Sequence, residues 1–148
     1  MNENLHTVET LNVLELPFPT VANVRRHVVI YRPAKEAWDY IGQPIRLTEW
    51  FPGIVSVSVE GNKRQIETAA GMIFPEVIVT NDPTVMRFEY SLIIPLVVDH
   101  KSTIDVYDIS ENSCLVSYQA TATPATLALV IAAAGGNAIT NLKEILEK

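Results

Sequence analysis

A chain of 148 residues is long enough to bury one hydrophobic core without disulfide or metal staples, and it predicts one folded domain. Its 48% hydrophobic and 19% charged residues exclude a disordered chain, and a net charge of −6, with Arg25-Arg26 as the only paired arginines, excludes the basic stripe that nucleic acid requires. The single cysteine, Cys114, rules out an internal disulfide and reads as a small buried hydrophobe in a reducing, cytoplasmic setting.

In chain order, the first ten residues lack the basic start and apolar run of a signal peptide. Residues 1–20 end in Leu16-Pro17-Phe18-Pro19, whose prolines break any regular element, and are expected to form an arm preceding a domain at 21–148. The arm's Leu11, Val13, Leu14 and Leu16 pack either on their own domain or on a second subunit, where they would make a homodimer. Val24 to Tyr31 is rich in β-branched residues and predicts a strand, stopped by Arg32-Pro33. Pro33 opens a short helix with Ala34, Ala37, Trp38 and Ile41 on one face and Gly42 as its stop; Pro44 opens a second, with Leu47, Trp50 and Phe51 on one side.

From Ile54 to Ala122 the pattern is strand and turn, with breaks at Gly61-Asn62, near Gly71, at Asn81-Asp82-Pro83, at Pro95 and at Glu111-Asn112-Ser113. Six strands on such short links must pair antiparallel, and with the first strand they predict a seven-stranded sheet. Met86, Phe88, Tyr90 and Leu92 share a face, with Arg87, Glu89 and Ser91 on the other. His100 and Ser102 share parity with Ile104 and Val106, while Asp99, Lys101, Thr103 and Asp105 are expected to face water. Alternation leaves the face of Glu76 open, because both sides of its strand are apolar.

Thr123 to Lys148 carries the longest helical pattern. Thr123 is placed to cap and Pro124 to open it, and Leu127, Val130, Ile131, Ala134, Ala138, Leu142, Ile145 and Leu146 recur at spacings of three and four. A helix of roughly two dozen residues is about 36 Å long and needs a large apolar partner, which the strands must supply. Its longest apolar run, Ala125 to Ala134, is about half of a bilayer span, so no membrane span is expected. Gly135-Gly136 inside the helix suggests a kink or room for a ligand.

Ile30-x-x-Pro33-Ala34-x-x-Ala37-Trp38, Trp50-x-Pro52, Gly71 followed by Glu76 and Asp82, Arg87-Phe88-x-Tyr90 and Ser102-Thr103-Ile104 carry a resemblance over about residues 24–148. In that order they resemble the START and birch-pollen-allergen-like (SRPBCC) superfamily, in its bacterial polyketide cyclase/dehydrase-like lipid-binding branch. The resemblance implies an α+β helix-grip fold, a curved seven-stranded antiparallel sheet around the terminal helix with a cavity between them. Distant members, the abscisic-acid receptors, carry a glutamate after a gate-loop glycine and polar cavity residues on the strand matching His100 to Val106. By that resemblance Glu76, Tyr90, Leu92, His100 and Ser102 line the cavity. The lysine with which those receptors pair their ligand's acid group has no counterpart in Ile54 to Val59.

Two functions follow as expectations. One is a carrier binding a lipid-like or polyketide-like hydrophobe, with Phe88, Leu92, Ser102, Ile104, Tyr118, Leu127 and Ile131 as ligand contacts. The other is a cofactor-independent cyclase or dehydratase, a lyase or isomerase, using His100, Glu76 and Tyr90 for proton transfer. His100 reads equally as a structural histidine, and Tyr90 and Tyr118 as packing residues with a hydroxyl. The chain has no phosphate-cradling glycine loop or dinucleotide fingerprint, and His6, His27 and His100 show no ligand spacing, so neither cofactor nor metal is expected. The connections Ala69 to Met72 and Ile94 to Val97, apolar where turns are normally polar, are expected at the cavity mouth.

Overall fold

The computed structural model describes residues 21–95, 97 and 99–148. The expected arm at 1–20 lies outside the described residues, as do Leu96 and Val98 of the second expected mouth connection.

Strand β1 (Ala22–Ile30) leads through α1 (Ala34–Ile41), a 3₁₀ turn (Pro44–Arg46) and α2 (Leu47–Trp50) into β2 (Ile54–Glu60), β3 (Lys63–Thr68), β4 (Ile73–Asp82), β5 (Arg87–Leu92), β6 (Asp99–Ser110) and β7 (Ser113–Thr123), and the chain closes with α3 (Ala125–Leu146). The seven strands form one antiparallel sheet in the order β1-β7-β6-β5-β4-β3-β2. With α3 laid on β1 and β7, this is the expected α+β helix-grip arrangement. The breaks fall where turn chemistry puts them. Gly61, at φ 60, makes the tight β2–β3 hairpin in a conformation that disfavours other residues.

The N-terminal proline and C-terminal glycine of α1 bound it as expected. Pro33 flanks the first turn, and the Gly42 N–H donates to Trp38 O at 2.8 Å. A Cβ at Gly42 would stand 2.6 Å from the Trp38 ring, so glycine there also makes room for that ring. Pro44 opens a 3₁₀ turn rather than a helix, and only four residues, Leu47–Trp50, continue as α2. Leu47 and Trp50 are buried beneath it.

Three expectations are corrected. Thr123 ends β7 instead of capping α3, and the helix begins after Pro124 with no side-chain cap. The buried face of α3 is Ala128, Ala132, Gly135, Ala138, Ile139 and Leu142, while Val130 is 66% exposed and Leu127 and Ile131 are only half-buried. The first half of this helix is apolar all round, so hydrophobicity cannot choose its inner face. Close approach to the sheet chooses the smallest side chains. On the outer face of the sheet, Thr103 and Asp105 are buried rather than wet. Arg87 donates twice to Asp105, at 2.7 and 3.0 Å, and Glu89 accepts from Thr80 and Thr103, so neighbours cover them.

By length and composition α3 is long and apolar enough to cross a membrane, more so than its ten-residue apolar run suggests. In the fold it is the core helix, packed against β1 and β7.

Candidate functional site

The site forms where the short helices meet the sheet. Antiparallel pairing sets Arg64 of β3 directly opposite Glu76 of β4, and Glu76 opposite Leu92 of β5. A bulge at Val79 breaks the parity of β4, since Ile78 pairs with Tyr90 and Thr80 with Glu89. Residues before the bulge, Glu76 and Ile78, therefore share the inner face with Tyr90, while Thr80 joins Glu89 outside. Alternation along β4 leaves the face of Glu76 open because the outer face is apolar as well, with Ile73 and Val79 more than half exposed.

Arg64 and Glu76 form a buried ion pair, with Nε donating to Oε2 at 2.6 Å and both residues under 5% exposed. The guanidinium also lies over the rings of Tyr90, at 4.9 Å, and Phe88, at 5.2 Å. Burial pushes the Glu76 carboxyl above its ordinary range, and the attraction of Arg64 works against that rise.

A cavity of about 30 Å³ lies beside this pair. Ile41, Pro44, Leu47, Trp50 and Phe51 roof it; Ile66, Phe88, Tyr90 and Ile104 floor it; Arg64 and Glu76 supply its charges. That volume holds one or two waters, against roughly 300–1,000 Å³ in ligand pockets. Of the expected contacts, Glu76, Tyr90, Phe88 and Ile104 line it; Leu92, His100, Ser102, Tyr118, Leu127 and Ile131 do not. The gap expected between helix and sheet is closed, because Gly135 brings α3 down onto the Tyr118 ring. The roof comes from the short helices rather than from Ala69–Met72 or the described part of Ile94–Val97. Ala69 N–H is instead bonded to Gly53 O at 2.8 Å.

His100, Ser102, Tyr118 and Tyr90 are brought together as a hydrogen-bonded chain behind the floor. The Leu92 N–H donates to His100 Nδ1 at 2.9 Å, which makes Nδ1 an acceptor and leaves the proton on Nε2. Nε2 then donates to Ser102 Oγ at 2.9 Å, Tyr118 OH donates to the same oxygen at 3.3 Å, and the Tyr90 and Tyr118 hydroxyls are bonded to each other. Burial raises both phenols, that of Tyr90 well above its usual value, so both stay protonated at neutral pH. With both ring nitrogens engaged, burial lowers His100 to about 4, and the nearby Asp99 only partly offsets this. At neutral pH its free base lone pair is already occupied, and the geometry is that of a clamp between β5 and β6.

A pH test follows from the sign of that shift. As pH falls from 6.5, the ordinary value, the unfolded chain takes up a proton that folded His100 refuses until about 4. The stability contributed by His100 is therefore fully present above about 6.5 and lost between 6.5 and 4. In urea titrations across that window, His100→Gln should lose less stability on acidification than wild type. Parallel curves would show that His100 titrates as a solvated group.

The residue that sequence reasoning missed is Arg64. Its signal was parity with Ile66 in a strand whose other long polar side chains, Lys63, Gln65 and Glu67, alternate outward. Cys114 is buried and free, its thiol pushed up to about 11 by burial. Among the described residues no group of three or more His, Cys, Asp or Glu side chains could hold a metal ion.

The fold has well-populated company. An uncharacterised protein from Bacillus thuringiensis superposes with a TM-score of 0.79 at 21% identity, covering 86% of this chain and 100% of its own. XoxI from Bacillus cereus gives 0.79 at 22% identity, covering 86% and 99%. Truncated norcoclaurine synthase from Thalictrum flavum gives 0.70 at 13%, covering 86% and 94%. At these identities the likeness is one of fold alone. No curated protein matched the sequence. A family model described as polyketide cyclase / dehydrase and lipid transport matches residues 21–147, nearly the whole described chain, and the protein belongs to that family.

Proposed function

We propose that the protein binds a hydrophobic small molecule between the short helices and the sheet. The observation that carries this reading is the company the cavity keeps: an apolar roof and floor around a buried ion pair and a buried phenol. Packing alone gives no reason to bury charge, because an apolar pair of similar volume would serve stability as well or better. A few polar groups converging in an apolar concavity are what a ligand site needs.

At about 30 Å³ the cavity admits the head of a ligand but not its body. Entry therefore requires the roof, residues 43–52, to move as a flap. Its ends are held by two side-chain bonds, Asn81 Nδ2 to Gly42 O and Asn141 Nδ2 to Trp50 O, each 2.9 Å. Beyond the second latch stands Gly53, at φ 83 with open space around its Cα. Breaking two such bonds costs about 1–3 kcal/mol in total, and lifting the buried Leu47 and Trp50 out of the core adds about 1.5–3 kcal/mol for each, so the closed flap dominates until a ligand replaces those contacts.

Extraction of the natively purified protein with organic solvent, followed by mass spectrometry, tests the reading. A hydrophobic compound recovered near one per chain, and displaceable by an apolar dye, is the expected result. A protein that carries no compound and binds the dye only when unfolded would refute it.

A second reading, a cofactor-independent cyclase or dehydratase, is favoured by Glu76 and Tyr90 facing the same cavity. Glu76 would act as the base, its basicity raised by burial, and Tyr90 as the proton donor, with His100, Ser102 and Tyr118 as positioning residues behind it. Incubating the recovered compound with wild type, Glu76→Gln and Tyr90→Phe separates the readings. A carrier returns it unchanged in all three, whereas an enzyme converts it in wild type and loses at least tenfold in either variant.

A further inference from the structure

Trp50 is 2% exposed, lines the cavity, and its indole Nε1 has no hydrogen-bond partner among the described residues. No other buried side-chain nitrogen or oxygen among them is so placed. Its neighbours fix it there: the Trp50 carbonyl accepts from Asn141 of α3, and its ring meets Phe51 in a tilted contact at 5.7 Å. A phenylalanine would fill the roof without bringing an unmet donor into an apolar interior, where an unpaired N–H carries its full desolvation penalty. The indole thus has a feature that packing does not use.

We propose that Trp50 Nε1 is the donor for an acceptor oxygen on the ligand, and that the cavity is the subsite for the neutral, carbonyl-bearing head of an otherwise apolar molecule. The inference rests on the reading that the cavity binds a ligand. Neutrality follows from the charges present: Arg64 is already matched by Glu76, so a carboxylate would enter a low-dielectric site as an uncompensated charge. The volume, enough for one or two waters, fits a carbonyl group and not a ring. Whether water occupies the cavity before binding does not change the requirement. A ligand that displaces it must replace its hydrogen bond or lose affinity.

The test compares 1-tetralone with tetralin, two bicyclic probes of nearly equal shape that differ in one carbonyl oxygen, and adds tetralin-1-carboxylate as a charged third. Wild type should bind the ketone roughly three- to tenfold more tightly than the hydrocarbon, the usual worth of one net hydrogen bond, and the carboxylate no better than the hydrocarbon. In Trp50→Phe the preference for the ketone should fall to about one. The chain has two tryptophans, so its NMR spectrum contains two indole N–H signals. The one missing in Trp50→Phe, or remaining in Trp38→Phe should the first variant not fold, belongs to Trp50. That signal should move downfield with the ketone and not with the hydrocarbon.

Equal affinity for ketone and hydrocarbon, or an indole signal that responds alike to both, would overturn the role given to Trp50. A carboxylate that binds most tightly would overturn the neutral head. If none of the probes binds, the reading of the cavity as a ligand site falls and this inference falls with it.

Discussion

Replacing Arg64 with methionine is expected to cost about 3–5 kcal/mol at neutral pH, the usual penalty for removing one partner of a buried ion pair. The loss comes less from the missing attraction than from Glu76, which is left 3% exposed with no cation to offset its desolvation. Burial already raises this carboxyl above its ordinary 4.5, and without Arg64 only the raising influence remains. Its contribution is then least unfavourable below the unfolded value, where both states hold the proton. As pH rises from the unfolded value to the raised folded value, the unfolded chain is ionised and the folded chain is not, so stability falls across that window and levels off above it. Urea unfolding of Arg64→Met should therefore show a deficit that is smallest near pH 4 and grows towards pH 8. Adding Glu76→Met should recover most of the stability and remove this pH dependence. A single variant no worse than the double, flat with pH, would mean that Glu76 reaches water and that the pair is not buried in solution.

Arg64 also marks where the sequence stops being informative. The order of elements was legible because each strand ends on residues that make turns, from Gly61-Asn62 to Glu111-Asn112-Ser113, and because Pro33 and Gly42 bound α1. Burial of His100 and Ser102 was legible from their parity with Ile104. What they do was not, since it depends on the Leu92 N–H arriving from a neighbouring strand. Parity hinted that Arg64 faces inward, but only the β3–β4 register reveals Glu76 as its partner. For Glu76 itself the obstacle was local: the outer face of β4 carries the exposed, apolar Ile73 and Val79, so hydrophobicity marks no inner side, and one extra residue at Val79 shifts only the later side chains of the strand. The position of the cavity was missed for a related reason. Whether a helix stands off a sheet or lies on it is decided by side-chain size at a few contacts, and hydrophobic periodicity treats Ala128 and Leu127 alike.

Those contacts give the second large effect. Gly135 and Gly136 are neighbours with the same intrinsic cost to the helix, about 1 kcal/mol each relative to alanine, yet their surroundings differ. A Cβ at Gly135 would overlap the ring of Tyr118, which is fully buried and bonded through its hydroxyl to Ser102 and Tyr90. A Cβ at Gly136 would meet the aliphatic part of Arg26, 2.9 Å from its Cγ, and Arg26 is exposed and can rotate away. Gly135→Ala should thus destabilise by about 1–3 kcal/mol despite the better helix former, because overpacking a held ring outweighs the gain in propensity. Gly135→Leu should cost more, and Gly136→Ala should stay within about 1 kcal/mol of wild type. Shortening the ring in Tyr118→Leu should make room, so that Gly135→Ala costs at least 0.5 kcal/mol less in that background, the coupling expected of residues in direct contact. If Gly135→Ala instead raised the melting temperature while weakening ligand binding, the glycines would be holding open a space between α3 and the sheet, and the ligand would lie there rather than beneath the short helices.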